Sequence, residues 1–101
     1  MKVSKLNKKE ADKKTTRFRV REDITHRIID NEAAIVRPSD GTLIILNESG
    51  TFIFENLVKG LSPERIIKKI VDEFDVDIKR AERDLKSFLR LMKKESVIEE
   101  V

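Results

Sequence analysis

The chain has 101 residues, of which 39% are hydrophobic and 41% are charged, so its length suits one compact domain with a modest core. It contains no cysteine and one histidine, which excludes disulfides and thiolate sites and argues against a histidine relay. No apolar run approaches the roughly 20 residues that a membrane-spanning helix needs, and no secretory signal is recognisable. We therefore expect a cytoplasmic protein without a membrane partner.

The net charge of +3 is unevenly distributed along the chain. Residues 1–17 hold seven Lys/Arg and two Asp/Glu, a net charge of +5, whereas residues 18–101 hold fifteen and seventeen, a net charge of −2. We predict a flexible basic arm at 1–17, because it lacks the apolar residues that would offset the entropy of ordering it. Residues 18–101 then form the domain, whose slight acidity argues against nucleic acid as a partner.

Segments of high β propensity fill the first half of this domain. They cover residues 18–20, 23–29, 33–37 and 42–46. Turn signals separate them and predict an antiparallel meander of about three strands. Thr42–Leu46 is the last of these strands, and we expect it to form an exposed edge of the sheet.

Three helices are predicted after this strand, each beginning at a capping residue. Asn47 caps the first helix, Ser62 caps the second, and either Asp75 or Asp77 caps the third. The third helix is predicted from about residue 78 to 94, with an apolar stripe on one side and a basic outer face. Its stripe consists of Ile78, Ala81, Leu85, Phe88, Leu89 and Met92. The predicted fold class is therefore α+β and winged-helix-like, a three-stranded antiparallel meander followed by three helices.

No arrangement of residues in the sequence indicates catalysis. Asp75 and Asp77 lie in a connector without apolar surroundings that would raise a pKa, so helix capping explains them. His26 has no partner in the sequence, and the three glycines do not form a phosphate-binding loop. We predict no enzyme activity, no cofactor and no metal site.

Two modes of recognition fit this fold, and a third alternative concerns self-association. The basic third helix suits the major groove of DNA, with the basic arm as a second contact. Alternatively, Thr42–Leu46 accepts an extended peptide as a further strand, with the third helix as the opposite wall of a groove. The third alternative is a homodimer that pairs two edge strands.

Five segments in a fixed order carry a resemblance to a known family. They are AIVRPSDG at 34–41, LIILNESG at 43–50, GLSPE at 60–64, FDVD at 74–77 and DLKSFL at 84–89. In order and spacing they resemble the PqqD-like family, the small elements that recognise precursor peptides of ribosomally made, modified peptides. The resemblance extends from about residue 18 to 98. The family often has a glycine near Ser96, which this chain lacks.

The resemblance implies a non-catalytic protein that binds the leader region of a precursor peptide and presents it to a modifying enzyme, often a radical S-adenosylmethionine maturase. In that family the leader adds a strand beside the third strand and lies against the third helix. Carried over to this sequence, the peptide-binding residues are Thr42, Leu43, Ile44, Ile45 and Leu46 on the strand and Arg83, Asp84, Ser87, Arg90 and Leu91 on the helix.

The sequence leaves the orientation of this strand open. Alternate residues share a face, so either Leu43 and Ile45 or the set that includes Ile44 lines the groove. We choose Ile44→Pro as the change that removes a donor from the edge.

Overall fold

The computed structural model describes residues 17–101, which form five strands and three helices. The strands are β1 (Phe18–Val20), β2 (Thr25–Ile29), β3 (Glu32–Arg37), β4 (Thr42–Ile45) and β5 (Ile98–Glu100), and the helices are α1 (Glu48–Val58), α2 (Pro63–Phe74) and α3 (Ile78–Lys94). The predicted α+β class, antiparallel strands followed by three helices, is confirmed; winged-helix-like describes it only loosely. The predicted flexible arm lies outside the described residues, apart from Arg17.

The main sheet consists of β2, β3 and β4 in that order, so β2 and β4 are its two edges. Asp30 and Asn31 connect β2 to β3 with φ angles of 50° and 65°, the left-handed pair that a two-residue type I′ hairpin requires. The turn between β3 and β4 ends at Gly41, whose φ of 76° suits glycine. The predicted meander is confirmed, with β4 at its edge.

A second, two-stranded sheet joins the two ends of the domain. β1 pairs antiparallel with β5, and Arg19 contacts Glu99 across the pair at 2.6 Å. The sequence indicated a strand at Phe18–Val20, but it did not predict a strand at Ile98–Glu100 or the pairing of the two. The partners lie some 80 positions apart, so no local pattern reports their contact.

Each helix begins at a side-chain cap that the sequence predicted. Asn47 accepts a hydrogen bond at 2.9 Å from the backbone N–H three residues ahead, and Asp77 does so at 2.8 Å. Ser62 makes the equivalent contact at 3.4 Å. The choice between two aspartates is thereby decided: Asp77 caps α3, whereas Asp75 ends α2 in a left-handed conformation with a φ of 52°.

The hydrophobic core lies between one face of the main sheet and the helices, and Val97, just before β5, also contributes to it. Its largest fully buried side chains are Phe54, Ile35, Leu57, Ile66, Met92 and Val97. Removing a buried aromatic such as Phe54 by substitution with alanine costs about 3–5 kcal/mol of stability in proteins generally. Three residues of the predicted α3 stripe, Ala81, Leu85 and Met92, are buried, and Phe88 and Leu89 are half-buried. Ile78 is 55% exposed, because it is the first residue of the helix.

Candidate functional site

The register of the main sheet determines which backbone groups of β4 face outward. The N–H of Leu46 donates to the carbonyl of Ala33 at 2.9 Å. Since bonded pairs alternate along an antiparallel ladder, Ile44, two residues earlier, also turns its N–H and C=O towards β3. Leu43 and Ile45 turn theirs away from the sheet, and within residues 17–101 no strand pairs with them.

This register corrects the choice of Ile44 as the position for removing an edge donor. Proline at Ile44 would break the hydrogen bonding between β3 and β4, because the N–H of Ile44 lies inside the sheet. The donors on the open side belong to Leu43 and Ile45. The sequence alone cannot provide this distinction, since it depends on which residues pair with β3.

Thr51, which the sequence did not single out, fixes the end of β4 against α1. Its buried hydroxyl accepts a hydrogen bond from the N–H of Ala33 at 2.8 Å and donates to the carbonyl of Leu46 at 3.3 Å. The hydroxyl therefore bridges the two backbone groups where the ladder ends. This contact holds the last residues of the strand in line with the start of the helix.

The side chains of β4 alternate between the two faces of the sheet. Leu46 is 8% exposed and Ile44 is half-buried, so both lie on the side of the core and the helices. Leu43 and Ile45 are 59% and 56% exposed on the opposite, outer face. The orientation that the sequence left open is thus settled: Thr42, Ile44 and Leu46 face the side on which the helices lie.

Two contacts, one at each end, lead us to infer that α3 runs alongside β4 in the opposite direction, and we call the space between them the groove. At one end, the guanidinium of Arg37, opposite Thr42 in the sheet, donates to the carbonyl of Glu95, just after α3. At the other end, a Cβ placed on Gly50 would lie 3.6 Å from Phe88, in the middle of α3. The start of β4 therefore faces the end of α3.

A pocket of about 370 Å³ lies at the end of the groove nearest the C-terminus of β4. Its apolar lining comes from α1, α2, α3 and the connector before α3. These apolar residues are Ile53, Ile70, Phe74, Val76 and Phe88, and the polar residues around them are Asn47, Ser49, Arg80, Asp84 and Ser87. Such a pocket suits an apolar side chain, with polar groups at its rim to orient the ligand.

Five of the predicted site residues lie on α3, and the structure separates them into two groups. Asp84 and Ser87 line the pocket, and Leu91, 49% exposed, lies one turn further along the same side of the helix. Arg83 and Arg90 are exposed and lie about 100° around the helix from that side. They border the groove from its outer flank rather than line the pocket.

Arg37 closes the groove at the end opposite the pocket, a role that the sequence did not reveal. Its guanidinium donates to both carboxylate oxygens of Asp40, at 3.0 and 2.9 Å, and to the hydroxyl of Thr42 at 2.9 Å. The two hydrogen bonds from Arg37 hold the pKa of the Asp40 carboxyl well below its usual range. With its contact to Glu95, Arg37 ties the β3–β4 turn to the C-terminal end of α3.

The outer face of the main sheet carries exposed apolar side chains beside Thr25 and Arg27. Ile29, Leu43 and Ile45 are each more than half exposed there, and a shallow depression borders Ala34 and Val36. This face adjoins the open edge of β4.

Two further findings limit the chemistry of the described residues. Across residues 17–101, no three His, Asp or Glu side chains come close enough together to hold a metal ion. In the same range, no helix has the length and apolar character needed to cross a membrane.

An α+β domain that holds an open, uncharged strand edge beside a helix is typical of domains that bind peptides by strand addition. The model of the family described as Coenzyme PQQ synthesis protein D (PqqD) matches residues 32–98, and this chain belongs to that family. The resemblance seen in the sequence is thereby confirmed.

Two solved structures are similar to this chain. One is TbiB1 in complex with the TbiA(beta) leader peptide, 31% identical with a TM-score of 0.78, covering 80% of this chain and 94% of that chain. The other is a lasso peptide synthetase B1 complexed with the leader peptide, with a TM-score of 0.76, covering 81% of this chain and 96% of that chain. Its 24% identity supports the fold alone. No curated protein matches the sequence.

Proposed function

We propose that this protein captures the leader region of a ribosomally made precursor peptide as a further strand on β4 and presents it to a modifying enzyme. The observation that carries the proposal is the edge of β4, where the backbone groups of Leu43 and Ile45 turn away from the sheet and have no partner strand within residues 17–101. The similarity to TbiB1, whose structure contains a leader peptide, supports the same conclusion.

Backbone pairing supplies a general contribution to affinity in this arrangement. Leu43 and Ile45 each offer one donor and one acceptor, and a hydrogen bond contributes about 0.5–1.5 kcal/mol net. This contribution is nearly independent of sequence, so it cannot select one peptide among many.

Selectivity then comes from the side chains of the peptide that point towards α3. Burying one large apolar side chain in the 370 Å³ pocket contributes about 1.5–3 kcal/mol. Asp84 and Ser87 at the rim, with Leu91 further along, are the α3 residues that we assign to this contact. Arg83 and Arg90 on the flank complete the proposed peptide-binding set with Thr42–Leu46.

The role that we propose is non-catalytic, requires no cofactor and belongs in the cytoplasm. The partner enzyme is a peptide-modifying enzyme such as a radical S-adenosylmethionine maturase. A peptide strand added to β4 extends the outer face of the sheet without covering Ile29 or Ile45. This face therefore stays accessible to the enzyme while the leader is bound.

Two alternatives are weaker. A nucleic-acid-binding role has no counterpart among the matched proteins, and the domain that would carry it has a net charge of −2. A homodimer formed by pairing two β4 edges would use the same backbone groups as the leader. Peptide binding would then compete with dimerisation, so the sedimentation of the protein would depend on the peptide.

Amide hydrogen exchange tests strand addition directly. Peptides selected on the immobilised protein from a random-sequence library, and leader peptides from precursor genes that neighbour its own gene, would serve as ligands. The amides of Leu43 and Ile45 face solvent in the free protein and should become protected on binding, whereas that of Ile44 is protected throughout. If the amides of Leu43 and Ile45 gained no protection at saturating peptide, the proposal would be rejected.

A further inference from the structure

We propose that α3 makes this protein selective for acidic peptides, an inference that rests on the proposed function. The outward side of the helix carries five exposed cations, which we call the basic stripe. They are Lys79, Arg83, Lys86, Arg90 and Lys94. Their spacing of three or four residues places them along one side of the helix over about 22 Å.

The cations of the basic stripe lack partners of opposite charge in the described part of the chain. Two other cations of the helix do have them: Arg80 contacts Asp84 at 3.6 Å and Lys93 contacts Glu100 at 2.9 Å. Within residues 17–101 no ion pair involves a member of the stripe. Neighbours three or four residues apart on a helix repel when their charges are alike, so an anionic ligand would relieve an existing repulsion.

Positive charge is concentrated on this one helix. α3 carries seven Lys/Arg and two Asp/Glu, a net charge of +5, while the other residues of 18–101 carry eight and fifteen, a net charge of −7. Solubility alone does not require positive and negative residues to be separated in this way, because a soluble surface can intersperse charges of both signs. The separation creates a positive potential specifically beside the groove.

The position of the stripe determines what kind of ligand it meets. Arg83, Arg90 and Lys94 are the members nearest to the α3 side that lines the groove. The opposite wall, Thr42–Leu46, is uncharged, so an extended peptide in the groove meets charge from the helix. Carboxylates on its α3-facing positions would be favoured. A nucleic acid duplex fits less well, because the surroundings with a net charge of −7 would repel its phosphates.

Selection from a random-sequence peptide library tests this preference. The wild-type protein should enrich peptides rich in Asp and Glu, and the double variant Arg83→Glu/Arg90→Glu should lose that enrichment. The matched control is Lys68→Glu/Lys69→Glu, which makes the same change in net charge at exposed positions of α2. It should enrich the same acidic peptides as the wild type. The proposal would be overturned if the peptides selected by all three proteins had the same content of Asp and Glu. It would also be overturned if the control variant lost the enrichment as far as Arg83→Glu/Arg90→Glu does.

Kinetics provide a second measure on the enriched peptides. Stopped-flow association with the wild-type protein should be about tenfold faster than with Arg83→Glu/Arg90→Glu at low salt, and the difference should shrink as salt is raised. An association rate that does not respond to salt in the wild type would contradict the inference.

The selection also separates failure of this inference from failure of the proposed function. Enriched neutral peptides that bind the wild type but not Ile45→Pro would overturn the charge preference alone. Absence of any enriched peptide, or equal binding to Ile45→Pro, would overturn the proposed function and this inference with it. Tight binding of a fluorescein-labelled DNA duplex at physiological salt, lost in Arg83→Glu/Arg90→Glu, would replace the peptide with nucleic acid as the ligand.

Discussion

The two edges of the main sheet, β2 and β4, belong to the same ladder and yet differ in chemistry. β2 contains His26 and Arg27, whereas β4 has neither charge nor proline. Open edges are aggregation hazards, and natural proteins often protect them with charged side chains. The uncharged edge at β4 therefore indicates a strand that is kept available for a partner.

The charge of the residues around the two edges also differs. β4 leads directly to Asn47 at the 370 Å³ pocket, which α3, the helix of the basic stripe, helps to line. On the β2 side, the pocket that Ile28 lines also contains Glu48, Glu55 and Glu73. An acidic extended peptide would thus be attracted at one edge and repelled at the other, and the predictions below probe that contrast.

The largest expected effect comes from placing proline at corresponding positions of the two edges. Ile45→Pro removes an outward donor of β4 and puts the proline ring in the path of an added strand. We expect a loss of peptide affinity of about 10- to 100-fold, equivalent to about 1–3 kcal/mol for an unsatisfied partner group. Isothermal titration calorimetry with a library-selected peptide measures it.

The matched control is Ile28→Pro, since alternation along the ladder turns the N–H of Ile28 outward on β2. It should bind the peptide as the wild type does. If the two variants lost affinity equally, the contrast between the edges would disappear.

A smaller effect is expected from filling the pocket. Ser87 is exposed at the pocket rim, so Ser87→Trp should occupy space that a peptide side chain needs. We expect about a tenfold loss of affinity, corresponding to one displaced apolar contact. Lys68→Trp, at an exposed position of α2 outside both the pocket and the basic stripe, is the control and should bind with near wild-type affinity. An unchanged affinity for Ser87→Trp would exclude the pocket from the peptide site.

A further prediction concerns the contact that closes the groove at the other end. The lowered pKa of Asp40 means that its ion pair with Arg37 contributes stability above the unfolded-state pKa, about 3.9, and loses it as pH falls further. Asp40→Asn should therefore be less stable than wild type near neutral pH, with the gap closing in acid.

Urea unfolding at about pH 6 and about pH 3 measures this gap. Asp72→Asn, at an exposed position of α2 without an ion pair in the described part of the chain, is the control and should show little difference from wild type at either pH. A gap for Asp40→Asn that stays constant with pH would contradict the assignment.

A substitution at Ser96 is expected to change stability but not peptide binding. This residue has a φ of 59°, in the left-handed region that favours glycine. Ser96→Gly should stabilise the domain by about 0.5–1 kcal/mol and leave peptide affinity unchanged. Thermal unfolding measures it, with Ser39→Gly, at an ordinary φ, as the control that should not gain stability.

The sequence predicted local structure well because its signals are local. Asn47, Ser62 and Asp77 are caps that act within one helical turn, and the α3 stripe recurs at the helical period. Residues 38–41 and the β-prone segments around them were enough to predict the hairpin and its edge strand. The family resemblance depended on the same ordered segments.

The candidate site was only partly accessible from the sequence. Thr42–Leu46, Asp84, Ser87 and Leu91 were predicted as peptide-binding residues. Of these, Asp84 and Ser87 line the pocket, and the peptide-binding role of the whole set stays a prediction. Arg37 and Thr51 were missed, because their partners Glu95 and Ala33 lie 58 and 18 positions away. No pattern in the chain indicated these contacts.

The amino-acid sequence by itself determined the elements, their order, the uncharged edge strand and the cations of α3. The tertiary structure alone decided that Leu43 and Ile45 present the free backbone groups, that β1 pairs with β5, and that a pocket lies at the end of the groove. Capping and periodicity act between residues a few positions apart, whereas register and cavity shape arise from contacts between segments distant in the chain.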